Sequence, residues 1–379
     1  MGVHLFGIPF KSATKKTILL YNIGNLHCYW SKPMKILVIG PSWVGDMIMS
    51  HSLYQTLKQQ YPDCLIDVLA PNWCKPLLAR MPEVRNAITM PIGHGSFDLK
   101  GRYRIGKSLR NQYDMAIVLP NSLKSAFIPA FAKIPVRRGW IGESRYFLLN
   151  DWRRNKNDYP MMVQRYVALG YDKTVLPTAK HLAIPKPYLQ VDAQALEQTL
   201  ETFAKQTALC TNHPVIGFCP GAEFGPAKRW PHYHYADLAR QLIEQGYAVR
   251  LFGSVKDKEV GEQISQALPQ KLQHYCVNLA GETDLNQAVD LISDCVAVVS
   301  NDSGLMHIAA ALNKPLVAVY GPTSPEYTPP LSDNAVIIRL IEGGLIKVRK
   351  SQDSSEGYHQ SLIDITPQMV IEKLQDFLN

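Results

Sequence analysis

Short uninterrupted apolar runs alternate along this chain with longer segments whose apolar positions recur every three or four residues. "KILVIG" (35–40) precedes "DMIMSHSLYQTLKQQYP" (46–62), then come "LIDVLA" (65–70) and "WCKPLLARM" (73–81), and "MAIVLP" (115–120) leads into "SLKSAFIPAFAKI" (122–134). The same alternation returns with "PVIGFC" (214–219), "YHYADLARQLIEQG" (233–246), "AVRLFG" (248–253), "KEVGEQISQAL" (258–268), "LNQAVDLISDC" (285–295), "VAVVS" (296–300), "GLMHIAAALN" (304–313) and "PLVAVYG" (315–321). Continuous Val/Ile/Leu strands separated by helices predict parallel sheets covered on both faces. Between the two series, residues 150–210 are less regular; they hold "RRNKNDYP" and the Pro-rich "AIPKPYLQVDAQALEQ", and the Pro-rich piece reads as a linker. The pattern therefore predicts an α/β chain of two Rossmann-like domains facing one cleft. The halves share topology but no sequence repeat.

Doubly wound sheets bind ligands at the carboxyl ends of their strands, so the loops there carry the candidate chemistry. In "GPSWVGDMIMS" (40–50) two glycines allow a tight path, and Asp46 stands at the start of the first helix. It reads either as a helix N-cap or as a general base pointing into the cleft. The loop is not GxGxxG, which argues against a dinucleotide dehydrogenase. In "PGAEFGPAKRWPHYHY" (220–235) Lys228 lies just before a helix N-terminus, where free N–H groups, the helix dipole and an ammonium would converge on a pyrophosphate. His232 and His234 are two apart and diverge on a helix, so no shared metal is expected there. In "SNDSGLMHIAAALN" (300–313) a strand end again delivers Asp302, Ser303, Gly304 and His307 to a helix start. Capping by Asp302 or Ser303, with His307 packed in the core, is the plainer reading. Two such turns in one domain favour a nucleotide-diphosphate ligand.

Composition narrows this further. The 379 residues are 46% hydrophobic and 19% charged, which is globular rather than disordered. Half of the net charge of +8 comes from four lysines in residues 1–33, which contain no acid. The mildly basic remainder suits an anionic substrate or lipid surface and is no nucleic-acid signature. No apolar stretch reaches the roughly 20 residues of a membrane span. The seven cysteines are odd in number and none forms CxxC, so buried reduced thiols and a cytoplasmic protein are expected. The stretch 1–33 fits no signal peptide, and "MKILVIG" reads as a natural start, which makes 1–33 a disordered or untranslated extension before Met34. No DxD-type carboxylate pair stands at a strand end, so neither a metal nor a cofactor is expected.

"GPSWVGDMIMS", "PGAEFGPAKRWPHYHYADLA", "AGETDLNQAV", "NDSGLMHIAAALNKPLVAVYGPTSPEYTPPL" and "KVRK…EGYHQSLIDITP" together resemble the ADP-heptose:lipopolysaccharide heptosyltransferases, most closely the second heptosyltransferase of the inner core. The resemblance runs from Met34 almost to the last residue. It implies a GT-B fold with an acceptor domain at 34–205, a nucleotide-sugar domain at 206–365 and a final helix (366–379) crossing back to the first domain. It also implies inverting transfer of L-glycero-D-manno-heptose from ADP-heptose to the first heptose of heptosyl-Kdo2-lipid A. Asp46 would match the catalytic base, Lys228 the diphosphate-binding lysine, and Asp302, Ser303, Gly304 and His307 the D-[ST]-G-x-x-H pyrophosphate loop. Where heptosyltransferase I has a ribose-binding Glu, this chain has Val255–Lys256–Asp257, leaving Asp257 as the candidate. Lys124, Arg137, Arg138 and Arg145 are candidates for the anionic acceptor, for anionic lipid at the inner-membrane face, or for a solvated basic face. Transfer by a type I or III enzyme, or a non-catalytic nucleotide-sugar or lipopolysaccharide-binding protein on the same scaffold, are the alternatives.

Overall fold

A computed structural model of the chain describes residues 32–93, 95–207, 213–223, 225–343 and 351–378. Strands β1 (Lys35–Ile39), β2 (Leu65–Ala70), β3 (Val84–Thr89), β4 (Met115–Val118), β5 (Val136–Trp140) and β6 (Asp151–Arg153) form a sheet in the order β3-β2-β1-β4-β5-β6. Strands β7 (Val215–Cys219), β8 (Ala248–Leu251), β9 (Cys276–Asn278), β10 (Ala297–Asn301), β11 (Leu316–Val319) and β12 (Ala335–Ile338) repeat that order as β9-β8-β7-β10-β11-β12. All pairings are parallel. The chain is thus a GT-B fold of two doubly wound α/β domains, as expected. The central strands are buried along their length, which is why their sequences are unbroken Val/Ile/Leu runs.

Helix α1 (Val44–Gln60) leaves β1 and is buried nearly all round from Met47 to Tyr54. It packs on α2 (Met162–Ala168) of its own domain and on α6 (Gly304–Ala311) of the other, which accounts for the loss of a polar face over those turns. The close approach of α1 and α6 depends on two glycines. A Cβ on Gly45 would stand 2.6 Å from Cδ2 of His307, and one on Gly304 would stand 2.9 Å from Cβ of Val44.

The domains are also tied through a buried polar cluster. Arg80 donates to Oδ1 of Asp290 (2.6 Å) and Oδ1 of Asn286 (2.6 Å), both on α5 (Leu285–Asp294). Thr199 Oγ1 donates to the other Asp290 oxygen at 3.0 Å. Thr199 lies on α3 (Ala193–Thr207), which the sequence reading assigned to the first domain. It packs instead on α5 of the second, so the crossing point falls in the Pro-rich piece before it rather than at residue 205.

The final helix, α7 (Pro367–Leu378), corrects a second expectation. Val370, Ile371 and Leu374 bury in the core of the C-terminal sheet with Trp230 and Leu238, and the helix packs on α4 (His232–Glu244) rather than crossing to the first domain. Its apolar stripe has an adjacent apolar helix face to cover, and Trp230 Nε1 anchors the preceding turn by donating to the Ile365 carbonyl at 2.7 Å.

Cys64, Cys74, Cys219, Cys276 and Cys295 are all buried, whereas Cys28 and Cys210 lie outside the described residues. Apart from Lys32 and Pro33, so does the stretch expected to be an extension. Among the described residues no helix is long and apolar enough to cross a membrane.

Candidate functional site

The loops after β1, β7, β8 and β10 converge on a cavity of about 590 Å³ between the domains. Asp46, Lys228, Asp302, Ser303, Gly304 and His307 all line it, so residues drawn from three separate loops meet in one place.

Asp46 is the third residue of α1, after Trp43 at the N-cap position, so the capping reading does not hold. Asp46 is half-buried in the cavity wall, and the Tyr166 hydroxyl on α2 donates to its Oδ1 at 2.8 Å. Burial pushes the Asp46 carboxyl above its ordinary range, and the Tyr166 hydrogen bond pulls part of the way back. Burial and the neighbouring Asp46 also push the Tyr166 hydroxyl well up, so it remains a donor. A carboxyl group made more basic is better suited to proton abstraction than an ordinary surface carboxylate. Tyr166→Phe removes the bond that favours the ionised form. The acid limb of the kcat/KM–pH profile is therefore expected to move to higher pH, with the high-pH plateau changed less. A limb that stays in place would mean that Asp46 is not the titrating group.

Lys228 closes the short 3-10 turn Pro226–Lys228, and its Nζ donates to Oδ2 of Asp302 at 3.0 Å. Asp302 precedes α6, whose N-cap is Ser303, and no side chain caps that helix start. The first N–H groups of α6 thus stand at the cavity with the positive end of the helix dipole. Asp302 lines the cavity, as expected, and is paired there with Lys228. This pair holds the lysine ammonium beside the helix start. His307 is buried, and burial drops its pKa to about 4 against a smaller opposing push from Asp302. It is neutral at pH 7 and offers one N–H, not a positive charge.

Sequence reasoning missed Tyr166, the residues Thr283–Leu285 at the start of α5, and the rim residues Trp43, Trp73 and Glu223. "AGETDLNQAV" marked the α5 start, where Asp284 and Gln287 form a capping box. Nothing local marks Tyr166, which lies 120 positions from Asp46. Asp257 does line the cavity. Its Oδ2 accepts from the Ser254 N–H (2.9 Å) and hydroxyl (2.8 Å), and its Oδ1 faces Arg229 at 3.2 Å.

The basic residues expected at the acceptor mostly serve the fold. Arg138 is 2% exposed and binds Asp151 and Asp172, and Arg145 is fully buried, donating to the carbonyls of Trp140, Pro120 and Ser122. Arg137 donates to the Leu148 and Ile134 carbonyls. Arg138 and Arg145 are thus engaged inside the domain, whereas Arg137 is half-buried and engaged through Nε and Nη1. Lys124 is half-buried in the turn Leu123–Ala126 and lies outside the cavity lining. His232 and His234 diverge, to the Tyr358 hydroxyl and the Ile363 carbonyl, as their spacing predicted.

The model for glycosyltransferase family 9 (heptosyltransferase) matches residues 102–359. The chain is 73% identical over 345 residues to lipooligosaccharide heptosyltransferase 2 of Haemophilus influenzae, covering 91% of this chain and 99% of that one. It is 61% identical over 347 residues to lipopolysaccharide heptosyltransferase 2 of Escherichia coli, again covering 91% and 99%. The solved structure of Escherichia coli ADP-heptose lps heptosyltransferase II superposes with a TM-score of 0.81 at 59% identity, covering 91% of this chain and 98% of that one. With this match spanning nearly the whole of each relative, the chain belongs to glycosyltransferase family 9, the heptosyltransferases.

Proposed function

We propose that the chain transfers L-glycero-D-manno-heptose, with inversion, from ADP-heptose to the first heptose of heptosyl-Kdo2-lipid A in lipopolysaccharide inner-core synthesis. The observation that carries the chemistry is the meeting of Asp46 from one domain with Lys228 and the α6 start from the other in a single cavity. The high identity to heptosyltransferases 2 selects the type II acceptor over types I and III.

In this reading the acceptor hydroxyl gives its proton to an Asp46 oxygen as the acceptor oxygen bonds to the anomeric carbon. The bond from that carbon to the β-phosphate oxygen breaks, and its electron pair leaves with ADP. Attack opposite the leaving group inverts the centre. Negative charge growing on the diphosphate is met by the Lys228 ammonium, the α6 N–H groups and one His307 N–H, all fixed before the reaction. Asp302 keeps the ammonium in place. The donor is water-borne and the acceptor lipid-anchored, so we place the reaction in the cytoplasm at the inner-membrane face, with peripheral contact.

The test is a transfer assay with ADP-L-glycero-D-manno-heptose and either Kdo2-lipid A or its monoheptosylated form, read by mass. Addition of one heptose to the monoheptosylated acceptor alone supports the type II reading. Addition to Kdo2-lipid A would make the enzyme type I. A folded protein that modifies neither would remove the assignment.

A further inference from the structure

A second cavity, of about 750 Å³, opens at the carboxyl end of the edge strand β6 and has no part in the chemistry above. It is formed by Trp152, by "RRNKNDYP" and by residues 173–180, all within the stretch whose sequence is less regular. Arg153, Arg154, Lys173 and Lys180 line it, against a single acid, Asp158. Trp152 stands between two of these cations, with the Arg154 guanidinium 4.8 Å and the Lys173 ammonium 5.2 Å from its ring centre.

Arg153 gives the cavity its direction. It is 3% exposed and donates to the carbonyls of Ala168 and Tyr171, while its Nε is buried without a hydrogen-bond partner. Of the carboxylates nearby, Asp151 and Asp172 both bind Arg138, and Oδ1 of Asp151 also stands 3.6 Å from the Lys173 ammonium, so neither is given to Arg153 alone. A buried guanidinium that hydrogen-bonds only to neutral carbonyls, and shares its nearby carboxylates with Arg138 and Lys173, is costly unless a further anion completes its surroundings.

The position relative to Asp46 is set by the sheet. β1, β4, β5 and β6 stand side by side, so the ends of β1 and β6 are about 14 Å apart at ordinary strand spacing. Both open on the carboxyl edge of the sheet. Tyr159, in the cavity wall, accepts from Arg165 Nε at 2.8 Å through its carbonyl, and the next residue, Tyr166, holds Asp46. A ligand reaching from base to cavity spans more than one sugar ring.

We propose that this cavity is an anion subsite for a carboxylate or phosphate carried by the acceptor's inner sugars, two or more units from the hydroxyl that reacts. The assignment rests on the acceptor reading above. Arg153 forms its floor, and Arg154, Lys173 and Lys180 its wall.

The test is calorimetric titration of the full chain with the acceptor oligosaccharide freed of all acyl chains, alongside ADP and phosphatidylglycerol vesicles. Arg154 and Lys180 are exposed, so R154Q/K180Q is expected to fold normally, and unchanged ADP affinity checks this. The proposal expects the double variant to bind the deacylated acceptor at least tenfold more weakly, with ADP affinity within twofold of wild type. Unchanged affinity for the deacylated acceptor overturns it. Weaker binding to the vesicles alone also overturns it, by making the anion a lipid headgroup. The readout is binding, so failure of heptosyl transfer itself shows separately in the wild-type assay.

Discussion

Asp46→Asn is expected to lower turnover by about 10²- to 10⁴-fold, the contribution typical of a general base, while ADP affinity changes by less than about twofold. The amide keeps the size of the carboxylate and can still accept from Tyr166, so the local packing has no cause to change. Only the capacity to take a proton is lost. The same substitution carries a stability signature of known sign. Burial raises the folded-state pKa of Asp46, so the folded protein holds this proton more tightly than the unfolded chain does. The associated stability is full below the unfolded pKa and falls as pH rises through the folded one. Once pH has risen past the folded-state value the wild type bears the cost of a buried charge, and there the Asn variant is expected to melt at the same temperature or higher. Loss of rate with retained Tm and ADP binding identifies the base and excludes the non-catalytic binding-protein alternative. A variant with rate within tenfold of wild type would move the base elsewhere.

Lys228→Ala carries the second large effect, a fall of about 10²- to 10³-fold in kcat/KM for the donor, comparable to removing a preorganised transition-state donor. Two causes act together. The ammonium facing the leaving diphosphate is gone, and Asp302, with a side chain only 10% exposed, is left unpaired where phosphate must sit. The second cause can be separated by a double-mutant cycle. Lys228→Ala/Asp302→Asn is expected to recover part of the ADP affinity lost in the single variant, because the repelling charge has also been removed. If the double variant binds ADP no better than Lys228→Ala, Asp302 does more than position the lysine.

These residues were legible in the sequence because each directly follows a buried central strand. An unbroken apolar run such as "VIGFC" or "VAVVS" fixes both the strand and the loop after it. The outer strands β3, β6, β9 and β12 were not legible. They stand at sheet edges, and "VRNAIT" in β3 is largely half-buried or exposed, so no unbroken apolar run marks it. β5 was hidden for another reason. In "VRRGW" two arginines suggest a surface, yet Arg138 is buried beside two aspartates from distant segments. Charge along a chain reports neither burial nor partners. Tyr166 illustrates the same limit from the other side, because its value lies wholly in a contact that only the fold creates. The course of α7 was misjudged because its apolar stripe reveals that it is covered but not by which domain.

Gly45 and Gly304, set where α1 and α6 meet, leave no side chain between the two helix starts that could adjust to a misfit. Backbone and ring are in direct contact there, so the spacing from proton acceptor to phosphate cradle is referenced to a hard datum rather than to a choice of rotamers. Its tolerance is that of van der Waals repulsion, a few tenths of an ångström. The rim has no such constraint, since Trp43, Trp73 and Glu223 are each exposed by more than a third. In the proposed reading, substitutions at those rim positions are therefore expected to leave the spacing from Asp46 to the start of α6 unchanged.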